Sequence, residues 1–134
     1  YFTKAIELES NDSVKSVLQL ELAKITATKG DYSKARSEAL SAIEMNSNNK
    51  KAYEFIGDLY VAGAAQCNSN DVLVNKALYI AAYNQYAKAG NSSKMASAKE
   101  QFPTMEDIFV RNKKEGDLIK VGCWINENIA LKKK

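Results

Sequence analysis

The chain has 134 residues, 46% of them hydrophobic, with 19 Lys and Arg against 16 Asp and Glu for a net charge of +3, and it contains no histidine. The missing imidazole excludes Ser/His and Cys/His nucleophile pairs and most zinc sites, since histidine is the commonest general base and transition-metal ligand near neutral pH. No run of about 18 apolar residues offers a membrane-spanning helix, and the length allows one compact domain or about three helical hairpins.

Phe2-Thr3-Lys4-Ala5-Ile6-Glu7 reads as the middle of a helix, with no methionine or leader before it. The chain is therefore expected to be a piece of a longer, repeat-containing protein whose targeting signal lies elsewhere. Residues 1–10 are predicted to form the last helix of an upstream hairpin, with Phe2, Ala5 and Ile6 on one face. Asn11-Asp12-Ser13 supplies a turn and a cap, because a short side-chain oxygen accepts bonds from the first unpaired helix amides. The next helix is predicted over about Ser13 to Lys29, with Val14, Val17, Leu18, Leu22 and Ile25 as its apolar stripe, and Gly30 ends it. Asp31 caps a helix carrying Ala35, Ala39, Ala42 and Ile43, small residues that allow close helix approach, which stops near Asn46-Ser47-Asn48-Asn49.

A further helix from about Lys50 carries Tyr53, Ile56, Gly57 and Tyr60, and Leu22-Ala23 and Ile56-Gly57 stand 34 residues apart. A fixed step of that size is the mark of stacked helical hairpins. Ala35, Ala39 and Ala42 return as Ala82, Tyr86 and Ala89, each displaced by 47 residues, which is the same period stretched by one insertion of 13. That insertion contains the polar loop Gln66-Cys67-Asn68-Ser69-Asn70 and lengthens the next helix to about Asp71 to Ala89. Gly90-Asn91-Ser92-Ser93 ends it and caps another, which Pro103 stops. Thr104 and Asp107 have the spacing of a capping box for one or two turns through Phe109.

From Gly116 the period becomes two. Ile119, Val121, Cys123 and Ile125 alternate with Leu118, Lys120, Gly122 and Trp124, Asn126-Glu127-Asn128 offers a turn, and Ile129 and Leu131 resume the pattern. These residues predict a β-hairpin with one apolar face, packed on the last helices and covering the open end of the stack. Residues 111–134 hold 7 basic and 3 acidic side chains, against 12 and 13 in the rest, so the excess charge is a basic tail ending in Lys132-Lys133-Lys134. A nucleic-acid binder spreads its cations along a face or groove, so nucleic acid is not the expected partner and a solvated tail is the preferred reading.

Leu22-Ala23, Gly30-Asp31-Tyr32, Ala35, Ala39, Ala42, Tyr53, Ile56-Gly57, Tyr60, Ala82, Tyr86 and Ala89 resemble the tetratricopeptide repeat over about residues 1–90. Thr26 stands where that repeat has an aromatic residue and Ser47 where proline is common. The resemblance implies an all-α fold, a right-handed solenoid of antiparallel helix hairpins over residues 1–112, closed by a β-hairpin cap and basic tail over 113–134. Phe102-Pro103-Thr104-Met105-Glu106-Asp107-Ile108-Phe109, Gly116 and Val121-Gly122-Cys123-Trp124-Ile125 are similar to the closing segment of extracytoplasmic tetratricopeptide-repeat proteins of Gram-negative bacteria. That similarity implies a periplasmic or cell-envelope setting and no enzymatic activity.

In this family the first helix of each pair lines the inner groove. The matching positions are Leu20, Glu21, Lys24 and Ala27, then Lys51, Glu54, Phe55, Asp58, Val61 and Ala62. Some members clamp a terminal carboxylate with Lys, Arg and Asn here. Glu54 and Asp58 would repel one, so a segment with basic and apolar side chains fits better, unless the two are simply solvated helix charges. Tyr53, Tyr60, Tyr79, Tyr83 and Tyr86 offer a stacking platform, although at helical spacing packing between hairpins is the preferred account. Trp124 is open between anchoring the hairpin and contacting a partner. Glu106-Asp107 is better explained by capping than by hydrolysis or cation binding. No glycine-rich phosphate loop is present.

Cys67 and Cys123 are the only cysteines. A reducing compartment would leave two ordinary thiols, whereas the implied envelope setting favours one disulfide closing a loop of about 56 residues, with a chain-entropy stabilisation on the order of 4 kcal/mol. The expected function is a noncatalytic scaffold for a protein or peptide, without cofactor or metal. The alternatives are a structural cap that helps a longer solenoid assemble, including self-association, and recognition of an acidic polymer by the tail.

Overall fold

A computed structural model describes residues 2–67 and 69–134. Tyr1 and Asn68, parts of the first predicted helix and of the polar loop, lie outside the described residues. The order is α1 (Phe2–Leu8), α2 (Asp12–Thr28), α3 (Tyr32–Met45), α4 (Lys50–Ala62), a 3₁₀ turn (Gly63–Ala65), α5 (Val72–Ala89), α6 (Ser92–Lys99), α7 (Met105–Phe109), β1 (Leu118–Val121) and β2 (Glu127–Ala130). Short polar side chains start every helix from α2 onward. Asn11, Asp31, Asn49, Asp71 and Asn91 each accept a bond from a first-turn amide, and Thr104 with Asp107 forms a reciprocal capping box. These bonds satisfy amides that the helix itself leaves unpaired. Gly30 and Gly90 follow α2 and α5 with φ of 84° and 72°, a conformation that costs glycine little.

Successive helices pack on one another from α1 through α6, and the two-stranded antiparallel sheet packs on α5. Ala23, Ala35, Ala39 and Ala42 are fully buried in the α2/α3 region, while Ile56, Tyr60, Leu73, Ile80 and Tyr86 fill the α4/α5 core. The face of α2 corrects the sequence expectation. Val14, Val17 and Ile25 are exposed and Leu18 and Leu22 half-buried, whereas Ser16, Leu20, Ala23 and Thr26 point inward. Close approach explains the exchange. Ser16 Oγ donates to the Ala42 carbonyl at 2.6 Å and accepts from Asn49 Nδ2 at 2.8 Å, and Thr26 Oγ1 donates to the Leu22 carbonyl at 3.1 Å. With both hydroxyls satisfied, burying them carries little penalty.

The hairpin is present with a different turn. Ile119 pairs with Ile129 and Val121 with Glu127, so β1 ends before Cys123 and the reversal runs through residues 122–126 rather than 126–128. Cys123 and Asn126 adopt φ of 61° and 46°, which breaks the alternation that the sequence pattern extends to Ile125. Ile125 is nevertheless buried from inside the turn.

Three contacts fasten this turn to the helices. Arg36 Nη1 donates to the Ile125 carbonyl at 2.7 Å, Tyr60 OH donates to Glu127 Oε1 at 3.0 Å, and Cys67 is joined to Cys123 by a disulfide with a Cα–Cα distance of 5.5 Å. Trp124 lies with its ring centroid 5.9 Å from Tyr32 and 5.7 Å from Tyr60. It also covers Gly63, where a Cβ would stand 2.6 Å from the indole, so that position has room only for glycine. Of the two roles open to it, Trp124 has the anchoring one in this fold.

Candidate partner-binding groove

Glu54, Asp58 and Val61 stand at i, i+4 and i+7 on α4 and share one face. The tight Gly90-Asn91 turn brings the start of α6 against this face. Asn91 Oδ1 accepts from the Lys94 amide at 3.0 Å, capping α6, while its Nδ2 donates to Glu54 Oε1 at 2.7 Å. Lys94 Nζ then reaches both acids, 3.2 Å from Glu54 Oε1 and 3.0 Å from Asp58 Oδ2. Tyr86, on α5, donates its hydroxyl to Asp58 Oδ1 at 2.6 Å. Its ring is laid over Gly57, where an added Cβ would come within 2.6 Å.

The charge states follow from these contacts. The hydrogen bond from Lys94 holds the Glu54 carboxyl below the usual range. Burial works against the charge on Lys94, but its bonds to Asp58 and Glu54 outweigh that cost and hold the ammonium above the ordinary lysine value. Burial, reinforced by the neighbouring Asp58 carboxylate, pushes the Tyr86 phenol well up, so it remains a donor throughout the neutral range. The acid pair is thus engaged by a cation of the same chain, with Lys94 and Asp58 still partly open to solvent at 40% and 46% side-chain exposure.

Beside this cluster is a cleft of about 400 Å³ lined by Val61, Tyr79, Tyr86, Lys94, Ser97, Ala98 and Gln101. Val61 is 39% exposed there. A second hollow of about 450 Å³ joins Lys51 and Glu54 to the Gly90-Asn91 turn. The other positions expected in a groove divide. Leu20 is buried in the core, which corrects its assignment to an open surface, because its face of α2 lies inward with Ala23. Glu21 and Lys24 pair with each other at 3.3 Å, and Phe55 is half-buried against the core. Ala27 is half-buried and Ala62 exposed.

Sequence reasoning missed Lys94, Ser97 and Gln101, and it named Asn91 only as part of a cap and Tyr79 only as one of five tyrosines. One signal was available: a lysine in the first turn of a helix meets the positive end of the helix dipole and needs an offsetting acid. The five tyrosines split between roles. Tyr60 and Tyr86 are buried, Tyr83 packs edge-on against Phe102 at 5.2 Å, Tyr53 lies beneath Lys88 and Tyr79 faces the cleft.

Among the described residues no helix is long and apolar enough to cross a membrane. No family model, curated protein or solved structure matches the chain.

Proposed function

We propose that the chain is a noncatalytic scaffold of tetratricopeptide-repeat type that binds a protein or peptide segment in the cleft between α4, α5 and α6. The observation that carries this reading is the cleft itself: a concave surface with an apolar wall, Val61 and Ala98, beside polar groups from Tyr79, Lys94, Ser97 and Gln101. Concave, partly apolar sites with a few converging polar groups are where ligands bind. Lys94 gives such a segment a partly exposed cation to meet, and Asp58 a partly exposed carboxylate beside it, so an occupant with both apolar and charged side chains fits. The 34-residue step and the successive packing of helices support the repeat assignment. The Cys67–Cys123 disulfide supports an oxidising setting such as the periplasm or cell envelope.

The terminal-cap reading has its own support in the hairpin, which covers α5 and is bonded to α3 and α4. Ser97→Trp, which fills the cleft without touching the buried core, separates the two. Peptides enriched from a random display library on the wild-type chain should lose about tenfold or more in affinity for Ser97→Trp, equivalent to one removed anchor contact. Absence of enrichment, or binding indifferent to Ser97→Trp, overturns the groove reading and leaves the cap.

A further inference from the structure

The end of the molecule opposite in chemistry to the cleft carries an apolar knuckle. In α7, Ile108 is buried and Asp107 turns inward to Lys76 Nζ at 2.7 Å. Met105 and Phe109, one turn apart, are left on the outer face at 51% and 77% exposure, followed by Val110 at 68%. This presentation is not loose. Asn112, at φ 55°, donates its amide to the Phe109 carbonyl at 2.9 Å, and the Lys113 amide donates to the Ile108 carbonyl at 3.2 Å. The paired bonds form a Schellman ending that fixes Phe109 and Val110 in an ordered turn.

Cations stand at both ends of this short helix. Lys113 and Lys114 follow its C-terminal turn. At its other end the Lys134 amide donates to the Pro103 carbonyl at 2.9 Å, and the Lys133 amide to Glu115 Oε2 at 3.2 Å, so the tail is tied beside α7. Arg111 is engaged with Asp71, and Lys132 with Asn84, and Glu106 is the exposed carboxylate of the helix.

We propose that this end of the molecule docks on an anionic lipid surface, Phe109 and Val110 entering the headgroup layer while Lys113, Lys114, Lys133 and Lys134 face the phosphates. Two weak signals, apolar insertion and a basic cluster, are the combination that gives stable interfacial binding. An acidic polypeptide would use the lysines but gives no role to the exposed Phe109 side chain.

Flotation of the 134-residue chain with vesicles tests this. Binding should be at least about tenfold greater on phosphatidylcholine containing about a third phosphatidylglycerol than on phosphatidylcholine alone. Lys113→Gln with Lys114→Gln should weaken it on the order of fivefold per lysine. Phe109→Ser with Val110→Ser should weaken it about tenfold or more with unchanged thermal unfolding, and Phe109→Leu should retain it. Failure to bind anionic vesicles overturns the proposal. So does vesicle binding that survives Phe109→Ser with Val110→Ser and is displaced by polyglutamate, which would assign the surface to an acidic polypeptide.

Discussion

The two long helical pairs, α2 with α3 and α4 with α5, are each closely packed but by different chemistry. The first closes on alanines and hydroxyls: Ala23, Ala35, Ala39 and Ala42 let the backbones approach, and Ser16 bridges α3 to the cap of α4. Its outer face leaves Val14 and Val17 in solvent. The second closes on bulk, with Ile56, Tyr60, Leu73, Ile80 and Tyr86 buried, and is further covered by α6, the hairpin and the disulfide. Because apolar burial contributes roughly 25 cal/mol per Å², the larger side chains place most of the hydrophobic stabilisation in the second pair. Two consecutive helix pairs therefore need not contribute equal strength along the chain.

Removing the bond that favours the second pair is the strongest way to break this contrast. Cys67→Ser with Cys123→Ser should lower the unfolding free energy by about 4 kcal/mol in urea titration, since the bond restrains a loop with a sequence separation of 56. A loss below about 1 kcal/mol would mean that Arg36 and Trp124 hold the hairpin unaided. Ile56→Ala comes next. It should cost about 3 kcal/mol by leaving a cavity, against about 0.5 kcal/mol or less for Ile25→Ala on the exposed side of α2. Equal losses would refute the uneven distribution.

Two smaller changes probe the separate closing devices. Ser16→Ala should cost about 1–3 kcal/mol because it strips partners from the Ala42 carbonyl and Asn49. Gly57→Ala should cost about 1–3 kcal/mol by forcing the Tyr86 ring off α4. Hydrogen exchange should report the first mainly in α2 and α3 and the second in α4 and α5.

The smallest effect is alkaline. Tyr60 and Tyr86 have folded values raised above 10.0, and Lys94 above 10.5, so their contributions are complete below about pH 10 and are lost as pH rises through the raised values. Amide exchange corrected for intrinsic rate should then accelerate in α4 and α5 more than in α2. The same loss of protection in both pairs would show that these groups do not distinguish them.

Local features were legible and long-range ones were not. Asn11, Asp31, Asn91 and Thr104 act on amides two or three residues away, so their capping can be read from spacing, whereas Asn49 and Asp71, which cap in the same way, read only as a helix stop and a helix start. Ala35, Ala39 and Ala42 repeat on one face and were equally clear. The buried face of α2 was not, because hydropathy ranks Val17 above Ser16 and cannot register that the Ser16 hydroxyl finds Ala42 across the pair. The hairpin turn moved because two residues with side chains, Cys123 and Asn126, take the positive φ values, and the glycine of the turn, Gly122, does not. At the groove, Glu54, Asp58 and Val61 were named only through the resemblance to the repeat, and Lys94, 36 residues from Asp58 in sequence, became visible only once the fold closed.

Trp124 gives the molecule an internal optical reporter. It is the single tryptophan, and its indole stands within 6 Å of the rings of Tyr32 and Tyr60. Energy absorbed by those tyrosines passes to it while the hairpin turn is docked. Opening of the turn alone would shift and weaken its emission even with the helices intact, so fluorescence reads the docking of the hairpin, and circular dichroism reads the helices beneath it.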